Sequence, residues 1–391
     1  MKPPPPPSTD SPGADTGNRF DRMEWAGAFG DLGTLIPFVV AYIAVLKIDP
    51  FGILFTFGAV MIACGLYYKT PFPVQPMKAI GAVATTQAAQ SAVITQYAVY
   101  SASLVTGVLW LVLGLTGAAT HIARLVPRFV VVGIVLGLGF GFMLEGIKMM
   151  STGWLFAALG LVGTLLLLTN RAIPAMFLLL FFGGVCGVIQ NPEFLNTLYA
   201  VRLEFHIPHF ALSGITWYDF IVGSAFLALP QIPLTLGNAV IAIREENNRL
   251  FPGRPVSEKT VATSTGLMNL AGAAFGGVPM CHGAGGMAGH VAFGARTGGA
   301  PIILGVILLC LAFGFSGSIE AIFNVFPRAV LGVILFLTGA QLALGSCDFS
   351  KNKGERFITL TTAAFAMWNV GLAFVAGITL AHVAKRGWLR L

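Results

Sequence analysis

Charge is scarce in this sequence. Asp, Glu, Lys and Arg make up 10% of its 391 residues, against roughly 25% in soluble domains. A soluble enzyme of this length could not cover its surface with so little charge, so that class is excluded. Disorder over most of the chain is excluded too, because 56% of the residues are hydrophobic. Catalytic signatures are missing: there is no Walker sequence, no GxSxG elbow and no HExxH. The sequence therefore predicts no enzyme and no self-contained nucleotide-driven pump. Cysteine is also sparse. Cys64, Cys186, Cys281, Cys310 and Cys347 show no metal-type spacing, and Cys281-His282 has no second Cys/His pair to complete a site. No cofactor or metal is expected. A secretory signal is lacking as well: residues 1–20 are Pro-rich and polar, and are expected to be a disordered tail.

What is present is apolar and rich in glycine. Mean hydropathy is +0.81, and 48 residues are Gly, about 12% against a usual ~7%. A coiled coil does not tolerate that much glycine. Close helix packing and interrupted helices do. The composition thus points to an all-α polytopic membrane protein embedded in a lipid bilayer. Its net charge of +7 reflects loop placement, not nucleic-acid binding. Fourteen apolar segments can be drawn: 26–46, 51–68, 76–92, 97–118, 129–149, 152–169, 173–190, 217–243, 259–275, 283–294, 301–322, 329–346, 356–367 and 368–384. Segments 76–92, 283–294 and 356–367 are too short or too glycine-rich for ordinary spans. Non-spanning backbone at membrane depth must be covered by protein or line a cavity. With the N-terminus placed in the cytoplasm, eighteen Lys and Arg fall on the cytoplasmic side and four outside. That bias predicts an even span count with both termini cytoplasmic. It fits a plasma or inner membrane and a vacuolar membrane equally.

The chain also repeats itself. Pro127-Arg128 opens segment five and Pro327-Arg328 opens segment twelve; Pro76-Met77 enters segment three and Pro279-Met280 precedes segment ten. Leu32–Pro37 in segment one has a counterpart in Pro230–Asn238 of segment eight. Each offset is near 200 residues. Seven spans is an odd number, so the halves must be inverted. The expected organisation is a first repeat over 21–190, an outer loop over 191–216 and a second repeat over 217–385. In such folds, paired interrupted segments mark the binding site.

Those segments suit an anion. Prolines 71, 73 and 76 force an extended approach before a helix near Met77, and a second helix begins near Gly283. Two half-helices would aim their N-termini, with free N–H groups and partial positive charge, at the midplane from opposite sides. Gly283, Ala284 and Gly285 would let an anion approach the backbone. Lys78 is an intramembrane cation, expensive and so a functional candidate; snorkelling or structural pairing is the alternative. Gln75, Thr34, Gln231, Thr235 and Asn238 are candidate donors, with Gln231 and Thr235 on one helix face. Met77 and Cys281, at the half-helix starts, are also candidate substrate contacts. Asp31 and His282 are candidates for proton coupling, and His282 also for an anion donor; Asp31 could equally cap a helix. Glu145 reads as interfacial and structural, and His206 and His209 as solvated.

The stretches FGDLGTLIPF (29–38), PFPVQPMKAI (71–80), LPQIPLTLGNAVIA (229–242) and VPMCHGAGGMAGHVAFGARTGG (278–299) resemble the molybdate transporter family, a compact relative of the SulP sulfate permeases. The resemblance covers about residues 26–345. It implies a seven-plus-seven inverted repeat: segments 1–4 and 8–11 form a core domain, and segments 5–7 and 12–14 a gate domain. Substrate would bind between the half-helices and move by alternating access. SulP proteins usually carry a C-terminal STAS domain; this chain ends seven residues after its last segment, so none is expected. The implied substrate is molybdate, with tungstate competing. A sulfate or general oxyanion permease is the alternative, ahead of an anion channel or a membrane sensor. A proton-coupled nucleobase permease would usually carry an acid in segment eight, and none lies between Ile221 and Ile243. Relatives of this fold often dimerise, so a homodimer is compatible.

Overall fold

A computed structural model describes residues 17–78, 80–81, 94–124, 126–167, 175–193, 196, 203–324, 326–344 and 350–386. The tail before residue 17, segment three beyond Gly81 and Cys347 lie outside the described residues. So does part of the 191–216 loop.

Helix boundaries follow local chemistry. The first segment is two helices, α1 (Arg22–Ala28) and α2 (Leu32–Leu46), joined by a 3-10 turn over Phe29–Asp31. Helix α3 (Pro50–Tyr68) starts where Asp49 accepts from the Phe51 N–H, with Pro50 in the first turn; Lys69 closes it in a left-handed conformation. Strand β1 (Gln75–Pro76) follows, and then α4 (Gln96–Leu115), α5 (Ala118–Arg124), α6 (Arg128–Met150), α7 (Trp154–Leu167) and α8 (Ala175–Gln190).

The second half begins with α9, an unbroken helical run over 217–250. It widens into π-helix at Gly223–Ala228 and again at Thr235–Ala242. Pro230 and Pro233 lie between these stretches and cannot donate to an α-helical ladder. Then come α10 (Glu258–Ala274), β2 (Met280–Cys281), α11 (Ala284–Ala292), α12 (Gly299–Phe315), α13 (Ile319–Asn324), α14 (Arg328–Leu344), α15 (Lys353–Trp368) and α16 (Val370–Lys385). Segment 356–367, expected to be too short for an ordinary span, lies within the 16-residue helix α15. Asn369 alone separates it from α16, and its side chain caps the latter at Leu372 N.

The halves interlock through reciprocal helix contacts. Helix α3 packs on α12, and α4 on α10, an exchange of equivalent partners. Helices α6 and α14 begin 200 residues apart and pack on each other. Glycines permit this closeness. A Cβ on Gly58 would sit 2.8 Å from the Gly305 carbonyl oxygen, and one on Gly305 2.7 Å from that of Gly58. Gly146 and Gly332 face each other in the same way across α6 and α14, at 2.8 and 2.7 Å. Strands β1 and β2 pair antiparallel, Gln75 with Cys281 and Pro76 with Met280. The Met77 N–H continues the pairing by donating to Pro279 O at 2.8 Å. Among the described residues, five helical stretches are long and apolar enough to cross a membrane.

Candidate functional site

The paired strands bring the two interrupted segments together. After β1, Lys78, Ile80 and Gly81 are helical, and Gly81 N–H donates to Met77 O at 2.9 Å. After β2, α11 starts at Gly283, which supplies no side-chain cap. The Gly286 N–H donates to Gly283 O at 3.0 Å, whereas the N–H groups of Ala284 and Gly285, at the start of α11, have no intrahelical acceptor. Asn269 on α10 fixes β2: its amide accepts from Met280 N–H at 2.9 Å and donates to Met280 O at 2.6 Å.

Three predicted residues form one buried cluster. Asp31 Oδ1 accepts from the Thr34 hydroxyl and, at 2.5 Å, from Gln75 Nε2. Gln75 Nε2 also donates to Thr34 Oγ at 2.8 Å. Asp31 Oδ2 and Gln75 Oε1 have no hydrogen-bond partner. Gln75 was expected to offer donors to a ligand. Here its donor end is turned to Asp31, the stronger acceptor, and its carbonyl oxygen lies where a Cβ on Gly283 would fall.

Gln231, Thr235 and Asn238 line the other wall from α9, all buried. Gln231 Oε1 accepts from Ile80 N–H at 3.3 Å, and its Nε2 donates to Thr235 Oγ at 3.0 Å. Gln231 thus ties α9 to the first half-helix. Asn238 Nδ2 lies 3.6 Å from where a Gly283 Cβ would be, and its Oδ1 is unpartnered. Met77, Cys281 and Ala284 are buried beside the junction. Lys78 Nζ is buried without a hydrogen-bond partner, 3.7 Å from the centroid of the Phe142 ring.

His282 is placed differently. Its Nδ1–H donates to Pro73 O at 2.8 Å, and its Nε2 lies 2.8 Å from Ser264 Oγ. With both ring nitrogens occupied, it braces the extended stretch before β1 and has no free donor for an anion. Glu145 is exposed and pairs with Lys148 at 3.4 Å, in keeping with the structural reading.

Sequence reasoning missed several neighbours. Phe142 of α6 covers Lys78 and lies against Gly285, and an aromatic in an apolar helix gives no signal of that. The Tyr42 hydroxyl, buried and unpartnered, lies 3.2 Å from the Cβ position of Gly81. His290 Nδ1–H donates to Gly27 O at 2.8 Å. Asn269, the one polar residue in the apolar C-terminal half of α10, was the available hint of the brace on β2.

Two broken helices meeting through short paired strands, inside an interlocked repeat, define the class: an inverted-repeat membrane transporter. The described chain resembles the overall structure of SLC26A9, with a TM-score of 0.58 and 12% identity, covering 93% of this chain and 65% of that one. It also resembles the transmembrane domain of a cyanobacterium bicarbonate transporter, BicA, with a TM-score of 0.54 and 14% identity, covering 93% and 100%. At such identities the likeness shows the fold. In sequence, the chain is 33% identical to "Molybdate transporter 2" of Arabidopsis thaliana over 93% of its own length and 87% of the relative's. A family profile described as "Molybdate transporter of MFS superfamily" matches residues 23–142 and 223–342, two stretches offset by the same 200 residues as the motifs. The chain belongs to this molybdate transporter family and is an integral membrane protein. The fold is that of SLC26A9 and BicA, whatever superfamily the profile's description names.

Proposed function

We propose that the protein carries molybdate across a membrane by alternating access of a core domain against a gate domain. The dianion would bind between the N-terminus of α11 and the first half-helix. The observation that carries this reading is Lys78 Nζ, a buried ammonium with no hydrogen-bond partner beside an uncapped helix N-terminus. Both features lack acceptors, and a tetrahedral oxyanion supplies four. Sulfate has the same charge and shape. Site size decides between them, and tungstate, nearly isosteric with molybdate, competes.

Charge argues for a proton. Lys78 and Asp31 cancel formally, so a dianion would enter a site with no net positive charge. The free Asp31 Oδ2 would oppose it. Protonating Asp31 removes that opposition and leaves Lys78 as counter-charge. The proposed cycle therefore carries a proton on Asp31 with each anion. The proposed organisation keeps repeats over 21–190 and 217–385, fourteen segments and both termini in the cytoplasm; a homodimer is compatible with it.

Uptake of labelled molybdate into proteoliposomes tests both parts. Uptake faster with an inward proton gradient, and insensitive to that gradient in Asp31→Asn, is expected. Uptake indifferent to the gradient in the unmodified protein would remove the coupling. No molybdate uptake under any gradient would remove the substrate.

A further inference from the structure

We infer that Phe142 is a displaceable plug of the anion site, holding it closed until an oxyanion takes the place of the ring. This rests on the oxyanion reading of the site. The ring belongs to α6 in the gate domain, whereas the groups it covers belong to the core. It stands over the Lys78 ammonium, 3.7 Å from Nζ to the centroid. It also reaches the first turn of α11. A Cβ on Gly285 would fall on Phe142 Cε2 and lie 2.9 Å from its Cζ. One side chain therefore occupies the space in front of both features that would hold an anion.

The ring is a partial substitute for the anion. Its face carries negative quadrupole density and attracts the ammonium. It offers no hydrogen-bond acceptors, so the three donors of Lys78 and the free N–H groups of α11 stay unmet. An oxyanion satisfies both and displaces the ring.

The ring's anchor is rigid. A Cβ on Gly339 of α14 would lie 2.8 Å from Phe142 Cβ and 2.7 Å from Met143 N. Helix α6 is thus seated against α14 at this residue, with no room for its backbone to retreat towards α14. The ring can clear the site by rotating about its own side-chain bonds or by moving with the gate domain as a body. In the second case, anion binding and gate displacement are one event, and the empty site is protected against leak.

Equilibrium binding of molybdate to purified Phe142→Ala, Phe142→Leu and unmodified protein tests this. Phe142→Ala should bind about tenfold tighter, because no ring has to leave a desolvated cation–π contact. Phe142→Leu keeps bulk over Gly285 without the ring face and should fall between the two. In a Lys78→Met background the gain from alanine should shrink, since the ammonium–ring contact is already gone. Unchanged or weaker binding in Phe142→Ala, with its Tm preserved, would overturn the plug and leave the oxyanion site standing. If alanine lowers Tm, the leucine variant decides: binding no tighter than in the unmodified protein overturns the plug. Failure of all the proteins to bind any oxyanion would overturn the site reading, and the plug with it.

Discussion

Asp31, Thr34 and Gln75 act as one hydrogen-bonded unit, and Gln231 is the corresponding tie on the opposite wall. Removing either amide costs buried polar partners a hydrogen bond: Asp31 Oδ1 keeps only the Thr34 hydroxyl in one case, and Ile80 N–H and Thr235 lose Gln231 in the other. Each unmet group costs about 1–3 kcal/mol. That cost falls on the fold; because the two residues also hold the two walls of the site together, Gln75→Ala and Gln231→Ala should each weaken molybdate binding by about tenfold or more. Glu145→Ala removes an exposed pair, worth little, and should leave binding unchanged. Equal effects from all three, measured by equilibrium binding, would count against the assigned site. Lys78 carries a prediction of opposite sign for stability. An unpartnered buried ammonium is costly to the fold. Lys78→Met should lower affinity while Tm stays level or rises, as thermal unfolding in detergent would reveal. A fall in Tm would return Lys78 to a structural role.

Glycine contacts between helices decide how the elements lock. Gly58 and Gly305 touch backbone to backbone across α3 and α12, so Gly305→Val should force the pair apart and lower Tm by several degrees. Gly184 on α8 has nothing within 4 Å of its Cβ position, and Gly184→Val should leave Tm within a degree or two. A thermal shift of equal size in both would refute the packing account. Much of this level was legible in the sequence. Apolar run length marked the helices, the prolines before Met77 marked the extended approach to the first half-helix, and the 200-residue offset marked the repeat. Asn369 was harder to read, because one capping residue between two apolar runs looks like any polar interruption. The partners of His282 and Gln75 were not legible at all. Pro73, Ser264 and Asp31 are each brought to them by tertiary packing, which no local spacing encodes. Phe142 was hidden for the same reason.

At the scale of the molecule, the account requires core and gate to move against each other. One exposed contact between them is the ion pair of Arg128 on α6 with Glu245 on α9, at 3.9 Å. Joining these positions as Arg128→Cys and Glu245→Cys through a short thiol-reactive linker should stop molybdate flux in proteoliposomes yet leave equilibrium binding intact. Flux that survives complete cross-linking would contradict relative motion at this contact. The central claim, however, is the chemical identity of what the two half-helices hold. Equilibrium binding of molybdate to the purified protein, with tungstate and sulfate as competitors, addresses it most directly. The account predicts molybdate binding that tungstate displaces and a large excess of sulfate does not. Displacement by sulfate at equal concentration would make this a general oxyanion site, and absence of oxyanion binding would contradict the account.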